Sequence, residues 1–569
     1  MIILDTLIVT VLCCISVTST NEWNPIRNTL YGKIRGKVTS RLSGKYVEEY
    51  LGIPYASPPI GSLRFERSVP PINWSDIKDT NYLPPACPQY GSDYIDLHRE
   101  GFNKFDEDCL YMNIYVPKLK QESLPVLLYV HGGSNIVGMG AMFDGDVLAA
   151  HGEIIVITFN YRLGIYGFYA DKSKGIEGIY GLLDQVQAME WVNQNIKYFN
   201  GDPERVTIHG HSLGASDVGL HIVSNRTKGL FKNAIIHSGS PIAHWFLSDC
   251  VRTSRKTSFP VDCRLGTTRV NNKFSPIQDK WMNISEEMFN VALTKDITFG
   301  TYPITIDGYY TTESPENMYR CENNIHAESV LLVLSRDELF PSLSTEGKND
   351  NYSITIEVLI NYYQTLFPDE DQFANEANLV FNDWKESKVL PFPQAPRIQA
   401  DLIFYTPMIK LADIVSRWLN KTYLLSFEYI SETPSGPLWQ GVPHGWDLFY
   451  MFGIPLVGHH LHNYTARDVE MTKITMSLLS DYVKYGYLST NDTELTGVYD
   501  SKLRNYYKID YNGTQAVVTT GVNFRKPYYE FWNRYLYKYE DTICDTSSKL
   551  SVCSYNLLFS VTIYTLFFT

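Results

Sequence analysis

Runs of consecutive apolar residues recur along much of the chain. They cover residues 126–130, 154–159, 206–208, 234–236, 330–334 and 423–427. Strands with one face in water alternate apolar and polar residues, whereas strands buried on both faces form continuous apolar runs. The runs therefore predict a central, mostly parallel sheet whose two faces are both covered.

Helical periodicity appears between and after these runs. Residues 182–196 carry apolar side chains at the spacing of an amphipathic helix, and residues 369–384 and 407–418 also favour helices. Near the start, residues 31–36 and 47–53 predict short strands of an N-terminal hairpin sheet. The pattern as a whole indicates an α/β fold, a mixed and mostly parallel sheet flanked by helices, with a helix-rich cap late in the chain.

A short Gly-His-Ser-Leu-Gly motif at residues 210–214 follows one of the predicted strands and precedes the amphipathic stretch 215–223. In a strand-turn-helix context this motif places its serine, Ser212, on an exposed elbow at a helix N-terminus, where negative charge is favoured. The motif alone is a weak signal, so its meaning depends on a histidine, an acid and an oxyanion hole elsewhere.

Length and composition describe one large globular domain. The chain has 569 residues, 44% of them hydrophobic, and a formal net charge of −13. This negative charge disfavours a nucleic-acid partner, because binding to phosphates requires a basic surface. Residues 1–20 contain the apolar stretch 7–17 followed by small residues, which predicts a signal peptide. We expect the globular domain to span residues 21–545.

The C-terminal residues 546–569 favour a membrane attachment by lipid. The stretch 551–569 has no charged residue and is preceded by small polar residues. It is short for a transmembrane helix, so we expect a glycolipid (GPI) anchor signal rather than a span or a functionless apolar end. The predicted location is the secretory pathway and then the cell surface or the extracellular space.

Glycosylation sequons and cysteines agree with that route. The acceptor asparagines are Asn73, Asn225, Asn283, Asn351, Asn420, Asn463, Asn491 and Asn512. Proximity in sequence pairs Cys87 with Cys109 and Cys250 with Cys263. Cys321 and Cys544 either pair with each other, or Cys544 bridges two subunits of a homodimer.

Three further segments supply candidates for acyl-transfer chemistry. His444 lies on a Gly/Pro-rich loop late in the chain, after the serine and the acid in the order of α/β-hydrolases. Asp337 and Glu338 follow a buried strand, at a position where sites collect, and chemistry alone does not choose between them. The His-Gly-Gly-Ser turn at 131–134 ends another strand and would present backbone amides.

Several longer motifs occur in the order of one known family. They are Leu-Gly-Ile-Pro-Tyr-Ala at 51–56, Glu-Asp-Cys-Leu-Tyr-Met-Asn at 107–113, the turn at 131–134, Asn-Tyr-Arg-Leu-Gly at 160–164, Gly-Leu-Leu-Asp-Gln at 181–185, Gly-Asp-Pro at 201–203 and the elbow. With these motifs the chain resembles the type-B carboxylesterase and cholinesterase family, an α/β-hydrolase group that includes the neuroligins, from about residue 32 to 532.

The resemblance implies roles for individual residues. Ser212 would be the nucleophile, His444 the base and Glu338, rather than Asp337, the acid. The oxyanion hole would be formed by the backbone amides of Gly133, Ser134 and Leu213. The family's structural pairs would be the ion pairs Arg64–Glu107 and Arg162–Asp184 and the disulfides Cys87–Cys109 and Cys250–Cys263. No metal or organic cofactor is implied.

Departures from the family pattern define two alternatives to a serine ester hydrolase. His211 and Leu213 replace the usual neighbours of the nucleophile, and Ser134 replaces a glycine. Residues 131–150 resemble neuroligins, adhesion proteins that lack the catalytic serine, whereas this chain retains Ser212. A choline-ester preference is weakened because the segment before Cys109 offers Arg99, Phe102 and Phe105 but no tryptophan for a cation. Ile297 and Phe299 lie near the expected acyl pocket.

Overall fold

The computed structural model describes residues 23–89, 92–120, 123–171, 175–243, 246, 304–338, 354–355, 389–390, 400–434, 440–460, 462–490 and 493–537. Several predicted features lie outside these ranges. They are the signal peptide, the C-terminal tail, the helix at 369–384, Ile297, Phe299, the cysteines Cys250, Cys263 and Cys544, and the acceptors Asn283, Asn351 and Asn491.

An eleven-stranded sheet forms the centre of the described part of the chain. Its strands are β1 (Lys37–Thr39), β2 (Val47–Pro54), β3 (Tyr111–Pro117), β4 (Leu124–Val130), β5 (Ile155–Phe159), β6 (Gly201–His211), β7 (Asn233–His237), β8 (Ser329–Ser335), β9 (Thr422–Phe427), β10 (Tyr506–Tyr511) and β11 (Ala516–Gly521).

The sheet is parallel in the middle and antiparallel at its edges. The spatial order is β11-β10-β9-β8-β7-β6-β4-β5-β3-β2-β1. Every pairing from β10 to β5 is parallel, and the pairings of β11 with β10 and among β5, β3, β2 and β1 are antiparallel. The predicted α/β-hydrolase arrangement, a mixed but mostly parallel sheet, is confirmed.

Strand β4 shows why the sequences of the central strands are continuous apolar runs. All seven of its residues are buried. Val126 and Leu128 belong to one hydrophobic core, and Leu127 and Tyr129 belong to a second core on the opposite face. Because successive strand residues point to opposite faces, apolar side chains are needed at every position.

Helices cover both faces of the sheet. On the first face lie Tyr180–Asn195, Leu213–Val223 and Thr406–Val415, and on the second face lie Asp146–Gly152, Asp447–Met451 and Ala466–Tyr485. The other described α-helices are Ser92–His98, Gly164–Phe168, Pro315–Met318, Ile454–Val457 and Lys526–Leu536. The fold therefore has three layers, helix on sheet on helix.

The prediction of an N-terminal hairpin from residues 31–36 and 47–53 was wrong in its pairing. Strand β2 pairs with β1, whereas Lys33–Arg35 pairs with Ile26–Asn28 and Lys78–Asp79 in a separate small sheet. Both predicted segments thus contain strands. The hairpin partner of β2, however, is the short β1, which lies between the two segments in sequence.

The late part of the chain is less purely helical than predicted. It contributes the edge strand β11 and its neighbour β10 as well as the long helix Ala466–Tyr485. That helix begins with a capping box, in which the Thr465 hydroxyl accepts from the Asp468 amide and the Asp468 carboxylate accepts from the Thr465 amide. The predicted helix at 407–418 is Thr406–Val415, preceded by the π-helical turn Asp401–Tyr405.

Covalent and ionic features of the fold match several expectations. Cys87 and Cys109 form a disulfide, and Cys321 is also disulfide-bonded. The ion pairs Arg64–Glu107 and Arg162–Asp184 are present. The described sequon asparagines are all exposed: Asn73, Asn225, Asn420, Asn463 and Asn512. Disulfides and accessible sequons are consistent with folding in the secretory pathway.

Within the ranges that the structure describes, no helix combines the length and the apolar character that a membrane crossing requires.

Candidate active site

The candidate residues lie at the carboxyl ends of four adjacent parallel strands. The turn at 131–134 follows β4, Ser212 follows β6, Ser238 follows β7 and Glu338 lies three residues beyond β8. In open α/β sheets, ligands bind at this edge. The topology therefore brings together segments that are far apart in sequence.

Ser212 lies on a sharp turn between β6 and the helix Leu213–Val223. Its φ and ψ are 57° and −126°, and its amide donates to the His237 carbonyl oxygen at 2.8 Å. A Cβ on Gly210 would collide with the Gly214 carbonyl oxygen, and a Cβ on Gly214 would lie 2.5 Å from the His131 carbonyl oxygen. The two glycines of the motif are thus required by close backbone approach, and they leave the serine half-buried at the elbow.

His444 and Glu338 form a short hydrogen bond. His444 Nδ1 donates to Glu338 Oε2 at 2.6 Å, and both side chains are buried. The bond fixes the imidazole orientation, so that Nε2 carries the lone pair of the neutral ring. The structure therefore brings the predicted acid and base together.

Asp337, the alternative acid, serves a different function in the fold. Its Oδ2 accepts from the Val442 amide at 3.0 Å, and its own amide donates to the Val442 carbonyl oxygen. These bonds attach the loop that carries His444 to the end of β8. Of the two neighbouring carboxylates, only that of Glu338 contacts the imidazole in the described residues.

Glu338 is itself held by two donors on its other oxygen. Oε1 accepts from the Ser238 hydroxyl at 2.5 Å and from the Ser335 amide at 2.7 Å. Donors of this kind stabilise a carboxylate and restrict its orientation. Ser238 adopts a φ of 55°, and Glu338 one of 49°, both in the left-handed region. Such backbone strain is often retained at functional sites.

Ser212 and His444 lie at the same site, but among the described residues no hydrogen bond joins them. The imidazole of His444 packs against His211, the residue before the serine, with ring centroids 4.7 Å apart, and against Phe404 at 4.4 Å. Catalytic hydrogen bonds are often long in ligand-free enzymes and shorten when substrate binds.

The turn at 131–134 packs directly against the elbow. A Cβ on Gly132 would lie 2.8 Å from the Ser212 Cβ. Gly133 has a φ of 111°, and Ser134 and Asn135 have φ values of 59° and 58°. In the part of the chain that the structure describes, no residue accepts a hydrogen bond from the amides of Gly133, Ser134 or Leu213. Three donors at a serine elbow are suited to stabilising an oxyanion.

Two side chains fix the shape of this turn. Tyr161 stacks on His131 at a centroid distance of 4.3 Å, and its hydroxyl donates to the His131 carbonyl oxygen at 2.8 Å. At the far end, Gln89 donates to the Gly138 carbonyl oxygen and accepts from the Gly138 amide. The amides are therefore held in place before any ligand binds.

Burial keeps the surrounding imidazoles neutral. It lowers the pKa of His131 to about 4, opposed by the bond from Nδ1 to the Gly132 carbonyl oxygen. Burial, reinforced by the neighbouring imidazole of His444, also lowers the pKa of His211 well below its usual value. Near neutral pH these two groups therefore add no positive charge beside the base.

Arg99, which lies in the segment that lacks a tryptophan, is paired with a carboxylate. Its guanidinium pairs with Asp144 and also donates to the Ala141 carbonyl oxygen at 2.6 Å. Phe102 and Phe105 pack edge to face against each other, with ring centroids 5.8 Å apart. In this segment the Arg99 cation is thus paired with a carboxylate, and the sequence between Arg99 and Cys109 contains no tryptophan.

Among the described residues, no three His, Cys, Asp or Glu side chains converge in a way that could hold a metal ion.

Sequence reasoning missed the residues that support the site. Ser238, Gln89, His237 and Asp447 carry no local pattern that distinguishes them. Tyr161 lies in the motif at 160–164, but the motif alone did not indicate its role. The roles of all five depend on contacts between residues that are distant in sequence. A partial signal exists for Ser238, which follows directly on the predicted strand at 234–236.

Comparison with known proteins shows the family. Residues 24–532 match the carboxylesterase family. Neuroligin-3 of Mus musculus is 30% identical over 530 residues, covering 82% of this chain and 62% of that protein. Neuroligin-2 of Mus musculus is 30% identical over 515 residues, covering 81% and 60% respectively. The chain thus spans about three fifths of the length of these relatives.

A solved structure shows the same architecture. A thermophilic pNB esterase superposes with a TM-score of 0.72 at 25% sequence identity, covering 89% of this chain and 99% of the esterase chain. The structural likeness shows the same fold, and the family match extends over residues 24–532. The chain belongs to the carboxylesterase family.

Proposed function

We propose that the protein is a serine ester hydrolase that acts through Ser212, His444 and Glu338. The observation that carries the proposal is the 2.6 Å bond between Glu338 and His444 at the sheet edge where the Ser212 elbow lies. A carboxylate-oriented imidazole beside a serine on a strained turn is the arrangement that nucleophilic acyl transfer needs. The substrate would be a small carboxylic ester, with no metal or organic cofactor.

Each group would have a defined role. His444 Nε2 removes the Ser212 proton as the hydroxyl oxygen attacks the ester carbonyl carbon, and Glu338 stabilises the imidazolium that forms. The amides of Gly133, Ser134 and Leu213 would bind the developing oxyanion, since none of them has an acceptor among the described residues. The imidazolium then protonates the leaving alcohol, and water, activated by the same base, hydrolyses the acyl-enzyme.

The second candidate is an adhesion protein that keeps the hydrolase scaffold. It is favoured by 30% identity to mouse neuroligin-3 over 82% of this chain. A choline-ester hydrolase receives less support, since the segment before Cys109 holds Arg99 paired with Asp144 where a cation-binding aromatic would be expected. Acetylthiocholine compared with an uncharged thioester would separate the last possibility from a general esterase.

Hydrolysis of short-chain aryl esters by purified protein tests the main proposal. We expect turnover by the wild type and its loss in Ser212→Ala, with Ser216→Ala as a control. Ser216 is a buried serine on the following helix, four residues beyond the nucleophile. No hydrolysis by folded wild type, or equal hydrolysis by Ser212→Ala, would reject the enzyme function and leave adhesion as the better account.

Cell-surface attachment is a separate part of the proposal. The tail at 546–569 would direct addition of a glycolipid, and the sequons would be glycosylated in the secretory pathway. Release of the protein from cells by a phosphatidylinositol-specific phospholipase would support this attachment. Retention on the membrane after that treatment would reject it.

A further inference from the structure

His211 is a buried residue that the proposed mechanism does not use. It precedes the nucleophile at the end of β6, and its side chain packs against the catalytic base with ring centroids 4.7 Å apart. The residue is only 4% exposed. A large polar side chain in this position either only packs as a neutral ring or also determines where the base lies.

The side of His211 away from the base contacts a second imidazole of fixed orientation. His237 meets His211 edge to face, with ring centroids 4.9 Å apart and an interplanar angle of 78°. His237 Nε2 donates to Asp447 Oδ2 at 2.7 Å, and both side chains are fully buried. A buried carboxylate that accepts from an imidazole fixes its orientation. The His237 ring is therefore a rigid support behind His211.

Asp447 belongs to the same segment as the base. It is the first residue of the helix Asp447–Met451, which follows the loop carrying His444. Between them, Gly445 packs on the His211 ring so closely that a Cβ there would lie 2.9 Å from His211 Cε1. His444 is thus linked to Asp447 along the chain. Side-chain contacts then link Asp447 to His237, His237 to His211, and His211 back to His444.

His237 in this set of contacts also binds the backbone of the nucleophile. The His237 carbonyl oxygen accepts from the Ser212 amide at 2.8 Å, so the backbone of His237 supports the elbow while its side chain holds Asp447. Displacing His237 or His211 would therefore change the separation between Ser212 and His444. Errors of about 1 Å in such a separation lower rates by about 100-fold.

We infer that His211 and the His237–Asp447 pair are positioning residues for the proposed ester hydrolysis, and that they set the placement of His444 relative to Ser212. The inference rests on the proposed function. It assigns a role to the unusual residue before the nucleophile, and it adds a second carboxylate-imidazole pair beside the one formed by Glu338 and His444.

The charges around His211 suit this role. Its ring contacts the imidazoles of His444 and His237, and His209 and His98 also act on it electrostatically. The two carboxylates of the cluster bind His444 and His237 rather than His211. Burial and these imidazoles lower the pKa of His211, so near neutral pH a neutral ring lies against the imidazolium that forms on His444.

Steady-state kinetics of single variants test the inference. We expect His211→Ala to lower kcat by about 10- to 100-fold with KM changed less than about threefold. His211→Gln, neutral and similar in reach, should restore most of that loss. His221→Gln is the matched control, because His221 is also buried but its described contacts are with Gln185 and Tyr310. Circular dichroism identifies variants that fail to fold.

Asp447→Asn supplies a readout that packing alone would not change. Removing this carboxylate weakens the stabilisation of positive charge in the cluster, so the acid limb of the kcat/KM profile should move to lower pH. Two results would overturn this inference alone, provided that the wild type is active. One is a kcat of both His211→Ala and His211→Gln within twofold of the wild-type kcat. The other is a kcat/KM profile of Asp447→Asn whose acid limb does not move. Inactive wild type would overturn the proposed function and this inference together.

Discussion

Asp337 and Glu338 are neighbours in sequence, yet their carboxylates bind different parts of one loop. Asp337 accepts from the backbone of Val442, and Glu338 accepts from the ring of His444, two residues further on. One residue attaches the loop and the other orients the base. The relationship explains why chemistry alone could not choose between them, since both carboxylates are buried and both contact the loop of the base.

Glu338→Gln and Asp337→Asn should therefore affect activity very differently. Glu338→Gln removes the charge that stabilises the imidazolium, and we expect kcat to fall by about 10³-fold or more. Asp337→Asn keeps an oxygen that can accept from the Val442 amide, so its kcat should fall less than about tenfold. Ester hydrolysis by both variants measures this. Similar losses would mean that Glu338 has no special role.

Ser238 should contribute to activity through Glu338. Ser238→Ala removes one of the two donors to Glu338 Oε1, and we expect kcat to fall by about tenfold. Ser238→Gly removes the same hydroxyl but relieves the φ of 55°, so it should be more stable than Ser238→Ala by about 1 kcal/mol. Kinetics and urea unfolding of the pair distinguish the two effects. Full activity in both variants would show that the hydroxyl is dispensable.

Ser134 should limit stability rather than chemistry. Its φ of 59° is unfavourable for a residue with a Cβ, and Ser134→Gly should raise the free energy of unfolding by about 0.5–1 kcal/mol. Because the amide at 134 remains, activity should be retained. Ser134→Ala, which keeps the Cβ, is the control and should give no gain. A destabilised Ser134→Gly would indicate that the hydroxyl is more important than the backbone strain.

Asp217 should make stability depend on pH. It is fully buried, and burial raises its pKa from 3.8 to about 7, opposed by the bond from Gln185 Nε2. Between these pH values the Asp217 carboxyl is protonated in the folded state and ionised in the unfolded state. Its stabilising contribution to the free energy of unfolding is therefore present below pH 4 and lost as pH rises towards 7.

The Asp217→Asn variant isolates this effect from the other titrating groups. Near pH 4 the variant and the wild type should have similar free energies of unfolding, and at pH 8 the variant should be more stable by about 2–4 kcal/mol. Chemical denaturation at both pH values measures the difference. A difference that does not change with pH would mean that Asp217 does not titrate in this range.

The central strands of the fold could be predicted from the sequence. Strands buried on both faces leave a local signal, since every residue from Val126 to Val130 must be apolar. The edges could not be predicted in the same way. The short β1 carries no run of apolar residues, and its pairing with β2 depends on competition with the neighbouring Lys33–Arg35, which only the assembled sheet decides.

The candidate site was predictable where a motif fixes the backbone. The elbow and the turn at 131–134 are local, because glycines and the strand-turn-helix order determine them. Ser238, His237 and Asp447 were not predictable, since each gains its role through a contact across 100 or more residues. The triad assignments themselves came from family resemblance, and they remain predictions about activity.

Labelling by a fluorophosphonate tests the central claim most directly, because the probe reacts with a serine only when base and oxyanion donors activate it. Purified wild type should form a stoichiometric adduct that peptide mass spectrometry maps to Ser212, and both Ser212→Ala and His444→Ala should remain unlabelled. Folded wild type that forms no adduct at Ser212 would contradict the claim that this carboxylesterase-family chain has an active serine.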